Sequence, residues 1–265
     1  MKIIVLIKEV PDMEKVKFNR EKGIVDRSSA EAEINPFDLN ALQTAVDLKN
    51  KFGGEVIVIT MGLPRSEKSL RDAYARGADK GILLTDKKFG GADTWATAYT
   101  LAAEIKKIKD YDLIISGEKS VDGDTAQVGA EVAEFLNIPH SYYVEKIGDI
   151  SKDEIEVTIE NLCEKKQNRK MKLPALVSVS KNINYPELPT LERKLESLKI
   201  EIEKCSLENL NGYIKEEEAG FNGSKTKVVK IVVPKEVKRE SKIYKDNLNC
   251  YMEDVLHMMK NKNII

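Results

Sequence analysis

The sequence predicts an α/β fold: a doubly wound parallel sheet with a small antiparallel extension and a C-terminal arm. Three observations carry that reading. Continuous apolar runs at residues 3–7, 56–60, 82–84 and 113–116 alternate with amphipathic stretches, the pattern of parallel strands covered by helices on both faces. After Pro139 the pattern changes to period-two alternation at residues 141–147, 154–162 and 167–173, which reads as half-buried antiparallel strands. Beyond Cys205 the chain becomes polar and weakly patterned. The expected organisation is therefore a domain over residues 1–205 and an arm over residues 206–265, with little core of its own at 207–237.

The elements follow in order. Residues 3–7 form the first strand. Lys8, Glu9, Pro11 and Asp12 follow at once with no small-residue cleavage site, so the run is a strand and not a signal peptide. A long insert comes next, in which Glu21-Lys22-Gly23 reads as a hairpin turn. Asn35-Pro36 opens a helix, Asn as N-cap and Pro at the first helical position. Its apolar face is Phe37, Ala41, Leu42, Ala45, Val46 and Leu48, and Gly53-Gly54 stops it. A helix over about 66–76 ends at Gly77, Asp93 caps a helix reaching about Lys107, and Asp124 caps one reaching about Leu136. Right-handed crossovers then wind the strands into one sheet. Residues 175–180 read as one more buried strand, 185–190 as a Pro-rich loop, 192–199 as a short helix, 228–233 as a strand and 252–259 as an amphipathic helix.

Composition narrows the function. The 265 residues carry a formal net charge of −1, which gives no reason to expect a nucleic acid or an anionic membrane as partner. No apolar run approaches the ~20 residues a membrane helix needs. Cys163, Cys205 and Cys250 are scattered and odd in number, which fits a reducing cytoplasm and argues against a disulfide framework, an Fe–S cluster or a zinc site.

In an open parallel sheet, ligands sit beyond the carboxyl ends of the strands. Residues 8–11, 61–65, 85–94 and 116–127 converge there. Two of these segments open helices with small, polar residues: Gly90-Gly91-Ala92-Asp93-Thr94, then Thr97, and Ser120-Val121-Asp122-Gly123-Asp124-Thr125-Ala126-Gln127-Val128-Gly129. A helix start presents unpaired N–H groups and partial positive charge, which suits phosphate. Asp122 and Asp124 would repel phosphate, so they read as a cap or as acceptors for ribose hydroxyls, with Thr125 and the following amides as phosphate donors. The plainer reading, two well-capped helices, is about as good for Asp93-Thr94 and poorer for the second segment. Walker-type and Gly-x-Gly-x-x-Gly loops are absent. His140 and His257 lie outside the converging loops, which speaks against a hydrolase triad or a His-based dehydrogenase. Trp95, the only tryptophan, reads as a buried helix residue.

The segment from Val121 to Gly129 resembles the signature of the electron-transfer flavoprotein β subunit, a Rossmann-like, adenine-nucleotide-hydrolase-like fold. The opening IIVLIKEVPD, Asn35-Pro36-Phe37-Asp38, Arg76-Gly77-Ala78-Asp79, Leu173-Pro174-Ala175 and Pro189-Thr190-Leu191 resemble family patterns in the expected order. The likeness runs to about Ile202, and more loosely through GFNGSKTKV at 220–228. It implies a heterodimer with an α subunit that holds FAD. The β subunit would hold AMP or a second FAD, contacting Leu6, Asn35, Pro36, Phe37, Asp38, Met61 and residues 120–131. Asp93, Thr94 and Thr97 look like the members that bind FAD in both subunits and bifurcate electrons. In those members NADH is the donor, ferredoxin or flavodoxin is one acceptor, and an acyl-CoA or lactate-type flavin dehydrogenase is a further partner. The likeness also places partner recognition at Tyr185, Pro189 and Leu191, and matches Glu160 to an acid that steers the mobile flavin domain of the α subunit. Residues 161–166 lack the glycine pair common in that hairpin.

Other readings of the same fold are a stand-alone sensor of AMP or ATP, an adenylating enzyme, and an interaction subunit with a vestigial site. The adenylating enzyme would need a Ser/Gly-rich loop after the first strand, which residues 8–13 lack.

Overall fold

The computed structural model describes residues 1–12, 15, 17–19, 24–26, 31–160, 165–229, 243–245 and 248–265. The chain divides into two compact units, Met1–Lys230 and Ile231–Ile265.

The first unit is built on a nine-stranded sheet. Its centre is β1 (Lys2–Leu6), a run of apolar, mostly β-branched residues that suits a strand buried on both faces. The insert after β1 pairs β2 (Glu9–Pro11) with β5 (Ala32–Ile34), and β3 (Lys17–Asn19) with β4 (Ile24–Asp26), both antiparallel. The turn expected at Glu21-Lys22-Gly23 lies outside the described residues. From there α1 (Pro36–Phe52) leads to β6 (Glu55–Met61), and α2 (Glu67–Ala75) to β7 (Lys80–Leu84). The chain then reverses: α3 (Thr94–Ile108) carries it back past β1 to β8 (Leu113–Gly117). These strands run parallel, so the order reverses between β1 and β8.

After α4 (Val128–Leu136), β9 (His140–Ile150), β10 (Glu154–Ile159) and β11 (Gln167–Lys172) form the expected antiparallel extension. β12 (Ala175–Val179) inserts between β9 and β8, parallel to both. Alternate residues of β1 feed two cores. Ile3 and Val5 pack on the α1/α2 side; Ile4 and Leu6 pack on the α3/α4 side.

The expected arm is corrected here. After α5 (Leu191–Ser197), β13 (Glu203–Cys205) joins the sheet parallel to β7. Leu207, Leu210 and Ala219 are then buried in the α3/α4-side core, before α6 (Gly220–Gly223). Residues 206–229 thus belong to the first unit, and the division falls at 230/231 and not at 205/206. Two 3₁₀ turns, Glu208–Leu210 and Glu216–Glu218, set the spacing of the buried residues, so neither a helical nor a strand period marks them. Val228 and Val229 are not in a strand, and the rest of 228–233 lies outside the described residues. In the second unit, α7 (Leu248–Asn261) covers the expected terminal helix and extends it at both ends.

Leu210 decides whether the segment after Cys205 is core or arm. Leu210→Ala is expected to lower the unfolding free energy by about 2–5 kcal/mol in urea titrations. A solvated arm would change it by under about 0.5 kcal/mol.

Candidate functional site

A cavity of about 430 Å³ opens at the carboxyl ends of the strands, at the reversal between β1 and β8, where an open sheet of this kind takes a ligand. Leu6, Ile7 and Lys8 enter from β1, and Met61 from β6. Residues 116–120 come from the end of β8, and Asp93, Thr94 and Thr97 from the start of α3. Gly123, Thr125, Ala126, Gln127, Val128 and Gly129 complete the rim, with Tyr142 of β9.

Asp38 ties this corner together. It sits in the first turn of α1, and its carboxylate accepts from the Lys8 amide (2.7 Å) and the Gly117 amide (3.2 Å). Those amides follow β1 and end β8. Burial pushes the Asp38 carboxyl up to about 7; the Asn35 side chain and the amides of Lys8 and Gly117 oppose that rise. Residue 117 has to be glycine, because a Cβ there would lie 2.5 Å from Asp38 Oδ1.

Asn35 occupies the N-cap position of α1 but its side chain makes no cap bond. It donates instead to the Lys119 carbonyl (2.8 Å) and accepts from the Val121 amide (3.1 Å). It therefore fastens the loop after β8.

That loop differs from expectation. Asp124 does not cap a helix: α4 starts at Val128, with Gln127 in the cap position. Asp124 and Ala126 both adopt positive φ, 55° each. Asp is one of the few residues that tolerates this region. Ala126 is followed by Gln127 in the right-handed helical region. A left-handed residue followed by a right-handed one forms a concave nest of amides that suits an anion. Asp122 and Asp124 are held by lysines, Asp122 by Lys8 (2.7 Å) and Asp124 by Lys119 (2.8 Å). Neither lines the cavity.

The start of α3 faces the same space. Asp93 caps it, accepting from the Ala96 amide (3.0 Å). Its other oxygen takes the amide and hydroxyl of Thr226 (2.8 and 2.9 Å). Burial works to raise the Asp93 carboxyl, but the donors at Ala96, Thr226 and Lys225 hold it below the usual range. The Thr94 hydroxyl lies 3.5 Å from Gln127 Oε1 and donates to Glu131 (3.1 Å). The starts of α3 and α4 therefore meet at one wall. Burial raises the Glu131 carboxyl.

Among the expected site residues, Leu6, Asp38, Met61, Asp93, Thr94, Thr97, Gly123, Thr125, Ala126, Gln127 and Val128 line the cavity. Asn35, Pro36, Phe37, Val121, Asp122 and Asp124 do not line it. Sequence reasoning missed Ile7, Leu101 and Tyr142. Tyr142 reaches the site only because β9 lies parallel to β12, and no local pattern signals that. Trp95 is half-buried, stacked on Tyr99 with Lys225 over its face, away from the cavity lining.

A family model described as electron transfer flavoprotein domain matches residues 22–209. The electron transfer flavoprotein subunit beta of Clostridium acetobutylicum is 39% identical over 252 residues, 92% of each chain. Subunit CarD of the caffeyl-CoA reductase-Etf complex of Acetobacterium woodii is 35% identical over 266 residues, 100% of each chain. Protein FixA of Sinorhizobium fredii is 35% identical over 266 residues, 96% of this chain and 90% of that protein. This chain belongs to the electron transfer flavoprotein β-subunit family. Its role in that family is electron transfer.

The matched residues of this β subunit run from the insert to just beyond β13, so they take in all of the cavity lining except Leu6, Ile7 and Lys8. Partner recognition was expected at Tyr185, Pro189 and Leu191. There Tyr185 and Leu191 are 93% and 73% exposed, so Leu191 does not pack inward. No helix among the described residues is long and apolar enough to cross a membrane.

The buried carboxylate gives a pH test. Its pKa is about 7 when folded and about 3.9 when unfolded. Between those values the folded chain holds the proton that the unfolded chain has lost, so Asp38's contribution to stability falls as pH rises. Asp38→Asn should remove that slope from the unfolding free energy between about pH 4 and 7. It should also cost about 1–3 kcal/mol, because the Asn amide cannot accept from both backbone donors. An unchanged slope would show that Asp38 does not titrate there.

Proposed function

We propose that this β subunit binds FAD in the cavity at the β1/β8 reversal and works beside an α subunit in passing electrons to or from a flavin dehydrogenase. The observation that carries the reading is the meeting of two helix starts at one wall. Thr94 and Thr97 open α3, while the nest at Ala126-Gln127 leads into α4. Two adjoining amide clusters suit two linked phosphates, whereas AMP has one.

The residues present fit such a ligand. Gly129 lets the start of α4 approach the ends of β8 and β12 closely, since a Cβ there would come within 2.8 Å of Ser178 Oγ and 3.0 Å of Ser116 Oγ. Leu6, Met61 and Leu101 supply apolar surface. The acids nearest the phosphate loop are already paired with Lys8 and Lys119, so they do not repel an anion unopposed. Asp38 and Asn35 would keep the loop amides aimed inward. When bound, FAD supplies the redox chemistry, exchanging two electrons with NADH or single electrons with one-electron carriers such as ferredoxin or flavodoxin. Electron bifurcation is the finer form of this reading, and Asp93, Thr94 and Thr97 at the α3 start favour it. A non-bifurcating subunit with structural AMP is the second reading.

Cofactor content separates the two. The chain, purified with its α subunit and extracted, should release two FAD per heterodimer. One FAD and one AMP would overturn the FAD assignment and leave the site an AMP site.

We infer further that the exposed apolar run through Tyr185, Pro189 and Leu191 docks the dehydrogenase. Leu191→Ala is expected to slow electron transfer to that partner at least about tenfold, the loss of about 1.4 kcal/mol of contact energy, with flavin content unchanged. Equal transfer rates would remove Leu191 from the docking surface.

A further inference from the structure

We propose that Tyr143 is a binding residue of the cavity: its ring forms an aromatic wall at the mouth and stacks on a planar ring of the bound nucleotide. The inference rests on the nucleotide reading above and adds a residue that neither the sequence motifs nor the cavity lining points to.

Strand β9 carries a bulge. Ser141 and Val144 pair with Val177 and Val179 of β12, so β9 takes three steps where β12 takes two. On the other side, Lys146 and Val144 pair with Thr158 and Ile159 of β10, two steps against one. The extra residue against β12 lies between Ser141 and Val144, and the one against β10 lies between Val144 and Lys146. Within the first, Tyr143 has φ 52°, the left-handed region that penalises bulky side chains most.

Parity explains the bulge but not the tyrosine. A regular strand would turn Tyr143 into the core under α1 and rotate Val144 out of it. The extra residue keeps Val144 fully buried. It also keeps the Tyr142 hydroxyl at the Ala130 amide (3.2 Å). Glycine would serve that purpose without strain. Strain of this sort collects where a side chain has to be aimed.

Tyr143 stands beside two residues of the cavity lining. Its ring lies 6.0 Å from that of Tyr142, a lining residue, and it is 43% exposed. It is near enough to Lys119, also a lining residue, for its hydroxyl to act on that ammonium, after Asp124, burial and Glu118. Lys119 Nζ in turn stands 5.8 Å over the Phe37 ring. Phe37 and Tyr143 thus both lie near one cation of the lining. The backbone is pinned there, since the Tyr143 carbonyl accepts from the Glu160 amide (2.9 Å). An exposed ring held in a strained backbone beside a nucleotide-sized cavity is suited to stacking, which every base and flavin can accept.

The test uses the heterodimer stripped of nucleotide and titrated separately with FAD and with AMP. Tyr143→Phe should bind as the parent does. Tyr143→Leu, of similar bulk but not aromatic, and Tyr143→Gly should bind about tenfold more weakly. Tyr143→Gly should melt at or above the parent temperature, because it relieves the backbone. Weakening in the FAD arm alone assigns the stack to the flavin ring; weakening in both arms assigns it to adenine. Parent-like binding by the Leu and Gly variants overturns the inference and leaves the nucleotide site standing. A parent that binds neither ligand overturns both.

Discussion

One buried carboxylate holds the candidate site in shape. Where β1 and β8 separate, their terminal amides lose the next ladder partner, and a buried amide without a partner is costly. Asp38 accepts from both, at Lys8 and Gly117. Those bonds offset part of the cost of burying the acid, which still shows in its raised pKa. One turn earlier, Asn35 does the same for the loop beyond β8 through Lys119 and Val121. The motif Asn35-Pro36-Phe37-Asp38 is thus a clamp whose two polar ends grip the same neighbouring segment. Pro36 starts the helix that carries it.

The clamp explains how acids and an anion site can share one loop. Asp122 and Asp124 do not face the cavity. They engage Lys8 and Lys119, while Gly123, Thr125, Ala126 and Gln127 of the same loop line it. A site built from amides keeps its positive potential when lysines are spent on neighbouring acids, since backbone dipoles do not titrate. The left-handed residues at Asp124 and Ala126 are the geometric cost of that loop, about 1–2 kcal/mol each.

Much of this was legible in the sequence, for identifiable reasons. The Ile/Val runs marked β1, β6 and β8 because strands buried on both faces admit little else. Asp93 marked the start of α3 because it does cap that helix. Asp124 misled because the same short side chain suits both an N-cap and a left-handed turn, and only the surrounding loop decides between them. Leu207, Leu210 and Ala219 were unreadable as core because 3₁₀ turns impose neither a period of two nor of 3.6. Tyr142 was unreadable as a site residue because strand order, not spacing along the chain, delivers it.

The segment through α5 turns the usual logic of an amphipathic helix around. Leu188, Leu191, Leu195 and Leu198 recur at helical spacing, yet all four are exposed, and within α5 only Ser197 is buried. The segment is held by polar bonds instead. Gln43 and Arg76 grip Glu187 through its amide and carbonyl (both 2.9 Å). Arg71 Nη1 reaches the carbonyls of Ser197 (2.7 Å) and Ile200 (2.8 Å). Anchoring by backbone on both flanks leaves every leucine side chain unspent. A helix folded for its own core would bury that stripe; one fixed at its ends and apolar outward is what the docking surface proposed for Leu191 requires.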